Sequence, residues 1–82
     1  MIADVYIELK EGVADPEGEA TKKALRLLGF NVKSVSTRKV FRIELEAKSR
    51  EEAERKIAEM CERLLANPVI QRYSIRWVDG EG

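Results

Sequence analysis

The stretch Cys61-Glu-Arg-Leu-Leu-Ala-Asn-Pro-Val-Ile-Gln-Arg-Tyr73 carries the chain's only cysteine, placed just before a hard stop at Asn67-Pro68. A thiol in such a place could be a nucleophile, but only with a base beside it. The chain has no histidine, so a Cys–His dyad, and with it the usual glutaminase or papain-like chemistry, is excluded within this chain. One cysteine also falls short of a zinc ligand set. Cys61 lies in helical register with Ile57, Leu64 and Leu65, and the expected role is a small buried hydrophobe. The glutamates fall on helix surfaces or alternate along strands, the pattern of solvated charge rather than of acid–base pairs. No GxGxxG and no GxxxxGK[ST] occurs, so no phosphate cradle and no cofactor site is expected. Catalytic residues, metal ligands and cofactor-binding residues are all expected to be absent.

Composition sets the frame for that reading. Eighty-two residues make one domain, expected over 1–79 with a frayed tail at 80–82. Fifteen basic residues balance fifteen acidic ones, so no basic field draws the chain to nucleic acid. No apolar run approaches the roughly 20 residues that a bilayer requires, and no membrane partner is expected. A lone cysteine without a signal-peptide pattern points to a reducing, cytoplasmic setting.

The elements that must position these residues follow from periodicity. Ala3, Val5, Ile7 and Leu9 alternate with Asp4, Tyr6, Glu8 and Lys10, as in a half-buried strand. Asp15-Pro16-Glu17 opens a helix with Asp15 as N-cap, Ala20, Ala24, Leu27 and Leu28 make its stripe, and Gly29 closes it. A weak strand is expected over 31–37, with a turn at Arg38-Lys39. Phe41, Ile43, Leu45 and Ala47 then form the clearest strand. Ser49-Arg50-Glu51-Glu52 reads as a capping box, and Ala53, Ile57, Met60, Cys61, Leu64 and Leu65 follow at helical spacing. Pro68 forbids continuation, and 69–78 forms the last strand.

The order βαββαβ predicts an α+β, ferredoxin-like sandwich of two layers: a four-stranded antiparallel sheet with both helices on one face, the sheet extended or paired in a dimer. With the first strand between the third and the last, its acids should meet arginines on both neighbours. An RNA-recognition domain shares this order but needs stacking aromatics where this chain has Arg42, Glu44 and Glu46. An acylphosphatase-like enzyme would need an anion loop after the first strand, which is missing. On the last strand Tyr73 and Trp77 fall on the core side while Ile70 and Val78 fall on the other. Apolar groups on both faces of an edge strand suit one that is covered by a second subunit.

Two long segments, Leu9-Lys10-Glu11-Gly12-Val13 leading into Asp15-Pro16-Glu17-Gly18 and on to a helix ending Leu-Gly-Phe, and Met60-Cys61-Glu62 through Leu64-Leu65-Ala66-Asn67-Pro68-Val69-Ile70, resemble PurS, the small-subunit family of phosphoribosylformylglycinamidine synthase. The middle, 31–48, matches in pattern only. The resemblance implies a non-catalytic subunit in purine biosynthesis, in a complex that converts formylglycinamide ribonucleotide (FGAR) to formylglycinamidine ribonucleotide (FGAM) with ATP and glutamine. It implies three partners: a further copy of the chain in a homodimer or tetramer, the synthase large subunit (PurL) and the glutaminase subunit (PurQ). The small subunit would bridge the other two. Gly12, Asp15, Pro16, Asn67, Pro68, Ile70, Tyr73 and Trp77 are the interface candidates. The alternative is an ACT-like small-molecule sensor that binds its ligand at the loop Gly12-Val13-Ala14-Asp15.

Overall fold

The structure, a computed structural model, describes residues 1–78, so the expected tail at 80–82 lies outside the described residues. Its elements are β1 (Ile2–Leu9), α1 (Pro16–Leu27), β2 (Arg38–Glu44), α2 (Arg50–Met60), a π-helical turn (Cys61–Leu65) and β3 (Gln71–Trp77). The described strands form an antiparallel sheet in the order β2-β1-β3. β1 is central because its residues are apolar on one face and ion-pairing on the other, so both neighbours can match it.

Alternation decides the two faces. Ala3, Val5 and Ile7 are buried together with Ile57 and Cys61, and Phe41, Ile43, Ile75 and Trp77 pack around them. Ala53 is buried as well. On the opposite face Asp4 lies across from Arg42 and Arg76, and Glu8 lies across from Arg38 and Arg72. Arg42 binds Asp4 through two parallel bonds, Nε to Oδ1 at 2.8 Å and Nη2 to Oδ2 at 3.0 Å. Glu8 takes Arg38 at 2.8 Å and Arg72 at 2.6 Å, one on each oxygen. Arg76 lies over the Tyr6 ring, 5.4 Å from its centroid. The cross-strand pairing expected from the sequence is thus present, with Arg38 inside β2 rather than in a turn.

The helix ends follow their local chemistry. Asp15 caps α1 by accepting from the Gly18 amide. Gly29, at φ +100°, lets the Phe30 amide reach Leu25 O and its own amide reach Arg26 O, a paired closure that needs a left-handed residue. Ser49 accepts from the Glu52 amide, but Glu52 turns back to the amide of Lys48 rather than to that of Ser49. Past Met60 the helix widens. Ala66 donates to Cys61 O, a five-residue spacing that keeps Cys61 and Leu65 facing inward and leaves Leu64 84% exposed. Leu64 therefore leaves the apolar stripe that helical spacing alone gives it.

Two expectations need correction. Residues 31–37 form no strand, so the described sheet has three strands rather than four. Val32 and Val35 are three apart, so no period-2 face exists, and the Thr37 amide is taken by the Asp15 carboxylate at 2.8 Å. Nor do both helices cover the sheet. α2 packs on it, whereas α1 contributes no side chain to the core and buries only Gly18. Leu27, Leu28 and Phe30 are 88%, 73% and 58% exposed. The radius of gyration, 15.9 Å, reflects this. A compact chain of this length would have about 12 Å.

Candidate interaction surface

Gly12, Asn67, Pro68 and Ile70 come together at one end of the sheet, with Tyr73 beside Pro68 and Asp15 beside Gly12. After β1 the chain turns at Lys10–Val13, closed by the Val13 amide on Lys10 O at 3.2 Å, with Gly12 at φ +85° as the third residue. That is the left-handed position of a type II turn. Across from it, Asn67 organises the turn into β3. Its carbonyl accepts from the amides of Ile70 and Gln71, its side-chain oxygen accepts from the Val69 amide, and its own amide donates to Gln71 Oε1. Pro68 has no amide to give, but its carbonyl accepts from Lys10 Nζ at 2.7 Å, and Ile70 O accepts from the Lys10 amide at 2.9 Å. Lys10 therefore clips the two loops into one surface. The sequence pointed to both loops separately; the residue that joins them, Lys10, looked like ordinary strand charge.

Asp15 sits behind this surface. Its carboxylate accepts from the Thr37 amide at 2.8 Å, the Thr37 hydroxyl at 2.9 Å and the Gly18 amide at 3.1 Å. The Thr37 amide, then that of Gly18, holds the carboxyl below its ordinary 3.8. With both oxygens engaged by its own chain, Asp15 is a clasp between α1 and the segment before β2. Pro16 follows as the first helical residue, exposed.

Between the π-helical turn and the start of β3 lies a groove of about 260 Å³, lined by Cys61, Glu62, Ala66, Pro68, Gln71, Arg72 and Tyr73. Exposed apolar residues flank it in sequence: Leu64, Val69 and Ile70. Tyr73 points to the core side opposite Ile7, yet it stays exposed because α1 does not cover that edge. β3 ends at Gln71 and Trp77, so Ile70 and Val78 lie just beyond its two ends, where each still pairs through its backbone, Ile70 with Lys10 and Val78 with Ile2. Trp77 is separate from the rest. It pairs with Ala3 at the opposite end of β3, about 20 Å from Gln71 at the usual strand rise. There the guanidinium of Arg50 stacks on its ring, a residue that sequence reasoning assigned only to a capping box.

The chemistry available here is that of binding. Cys61 is 1% exposed, and burial, then the neighbouring Glu62, pushes its thiol pKa up, so the thiol stays protonated. Among the described residues no group of three His, Cys, Asp or Glu is gathered to hold a metal ion. No helix among them is long and apolar enough to cross a membrane.

Comparison with known proteins gives a consistent result. Residues 2–79 match the family model described as PurS: Phosphoribosylformylglycinamidine (FGAM) synthase. A relative from Archaeoglobus fulgidus, phosphoribosylformylglycinamidine synthase subunit PurS, is 85% identical over 78 residues, spanning 94% of this chain and 98% of its own. The crystal structure of Methanocaldococcus jannaschii PurS, one of the subunits of formylglycinamide ribonucleotide amidotransferase in the purine biosynthetic pathway, superposes with a TM-score of 0.85 at 47% identity, covering 92% of each chain. A chain of the Thermotoga maritima PurLQS structure superposes with a TM-score of 0.82 at 32% identity, covering 95% of this chain and 99% of that one.

Proposed function

This chain belongs to the PurS family of FGAM synthase, and from that premise we propose that it is the non-catalytic subunit that bridges a synthase subunit (PurL) and a glutaminase subunit (PurQ) while FGAR, ATP and glutamine are converted to FGAM. One observation carries the reading: apolar surface lies open in two separate places. One is the α1 stripe with Leu27, Leu28 and Phe30; the other is the clipped loop surface with Leu64, Val69 and Ile70. With the α1 face taken by a second copy, the dimer presents the clipped loop surface twice, and two such faces can hold two bodies at once. Bridging acts by geometry, since it raises the effective concentration of one subunit at the other. Ammonia released at the glutaminase then has a short path to the synthase.

The same reading includes a homo-oligomer, a twofold dimer or a tetramer, with α1 covered by a second copy. Charge along α1 supports this. Glu17 and Glu19 lie in its first turn, while Lys22, Lys23 and Arg26 lie further along. Two copies packed antiparallel about a twofold place the acidic end of each beside the basic end of the other. The sheet, whose edges among the described residues are β2 and β3, would be continued or paired in that dimer. The setting we propose is the cytoplasm.

Sedimentation of this chain alone, then with purified synthase and glutaminase subunits, tests the reading. We expect a dimer or tetramer alone and a three-component complex in the mixture. A chain that stays monomeric and joins neither subunit would overturn it.

A further inference from the structure

Arg50 opens α2, and its guanidinium carbon lies 4.2 Å from the centroid of the Trp77 ring, at the end of β3. The other arginines near the sheet have found partners. Arg38 and Arg72 share Glu8, Arg42 takes Asp4, and Arg76 covers Tyr6. Arg50 differs: its Nε is buried with no acceptor among the described residues. Among the described residues no ion pair forms at its guanidinium. Of the adjacent acids, Glu52 is engaged on the Lys48 amide and Glu51 is exposed.

The placement of this cation is also costly. It sits in the first turn of a helix, where the positive end of the dipole disfavours it. Stacking on an indole holds a guanidinium flat and fixes its fork of donors in one orientation. A cation that is immobilised, disfavoured where it stands and left with unused donors is organised for an incoming anion. The fork geometry matches a carboxylate end-on. Glu51 and Glu52 in the same turn disfavour the double charge of a phosphate.

We propose that Arg50, seated on Trp77, is the docking point for an aspartate or glutamate side chain of a catalytic subunit in the complex. The inference rests on the bridging reading above. It gives the bridge a polar anchor about 20 Å from the apolar loop surface, at the opposite end of β3. Tryptophan and arginine together are the residue types that dominate binding energy at interfaces.

The test compares the intact chain with Arg50→Gln and Arg50→Lys, measuring the Kd for the mixed synthase and glutaminase subunits, the oligomeric state and thermal melting. We expect Arg50→Gln to weaken binding about tenfold, with self-association unchanged, because a charge-assisted pair is lost. Arg50→Lys keeps the charge and the apolar stem over Trp77, so it folds even if Arg50→Gln does not. It should recover binding only in part, since an ammonium lacks the fork. The wild-type Kd should also rise more steeply with salt than that of Arg50→Gln. Binding of both variants within twofold of wild type overturns the inference and leaves bridging intact. Failure of the wild-type chain to bind overturns both. A chain ending at Val78 that loses binding as Arg50→Gln does would assign the acceptor to this chain's own tail, which also overturns it.

Discussion

Gly18→Ala is expected to destabilise the protein, although helix propensity predicts the reverse. Replacing a helical glycine by alanine ordinarily stabilises by about 1 kcal/mol. Gly18, however, is the one buried residue of α1, and an added Cβ would lie 2.6 Å from Val35 O and 2.7 Å from Asp15 Oδ2. The first contact is backbone. The second is the oxygen that receives the Thr37 amide, so relieving it breaks the clasp that holds α1. Overpacking of this kind costs typically about 1–3 kcal/mol. Set against the propensity gain, the net loss is about 1 kcal/mol, or roughly 4–8 °C in Tm for a domain of this size. The assay is thermal unfolding followed by circular dichroism at fixed protomer concentration, since oligomerisation makes Tm depend on concentration. A control at an exposed α1 position, Thr21→Ala, should be neutral or slightly stabilising. A higher Tm for Gly18→Ala would refute the reasoning and show that the segment around Val35 yields freely.

Cys61→Ser should cost about 1–3 kcal/mol in thermal melting, because a hydroxyl replaces a buried thiol among apolar neighbours, while turnover of the assembled complex persists. Lost turnover with normal melting would make Cys61 chemical. Stability should fall in acid. The Arg42 bonds hold the carboxyl of Asp4 below 3.8, and the Arg72 bond holds that of Glu8 below 4.5. Their contribution is complete above those ordinary values and disappears as pH falls through the lowered folded ones. The double change Asp4→Asn, Glu8→Gln should flatten a Tm–pH profile in that range. Leu27→Glu should leave the protomer folded but dissociate the homo-oligomer in native mass spectrometry, because this side chain touches no core in its own chain.

Much of the fold is legible in the sequence because it is set locally. Alternation places Ala3, Val5 and Ile7 inside and Asp4 and Glu8 outside, and opposite charge then chooses their neighbours. Asp15, Pro16, Gly29, Ser49 and Pro68 mark ends that need only a cap, a ring or a left-handed residue. The departures arise where the deciding partner is distant. Residues 31–37 lose their strand because Asp15, 22 positions before Thr37, takes an amide that a ladder would use. The stripe of α1 is correct as a stripe, but periodicity cannot say which chain it faces. The π-helical turn redirects Leu64 by one extra residue, a shift without a compositional mark. Of the surface, Gly12, Asn67 and Pro68 could be read from turn chemistry. Lys10 and Arg50 could not, since their roles depend on what lies 58 and 27 residues further along the chain, at Pro68 and Trp77.

The bridging role is tested most directly by comparing nitrogen sources. Synthase and glutaminase subunits are combined with and without this chain, and FGAM formation is followed with glutamine and, separately, with ammonium. A bridge matters for ammonia made on another chain and much less for ammonia supplied in solution. Omitting the chain should therefore reduce glutamine-driven turnover far more than ammonium-driven turnover. Equal glutamine-driven rates with and without it would contradict the account.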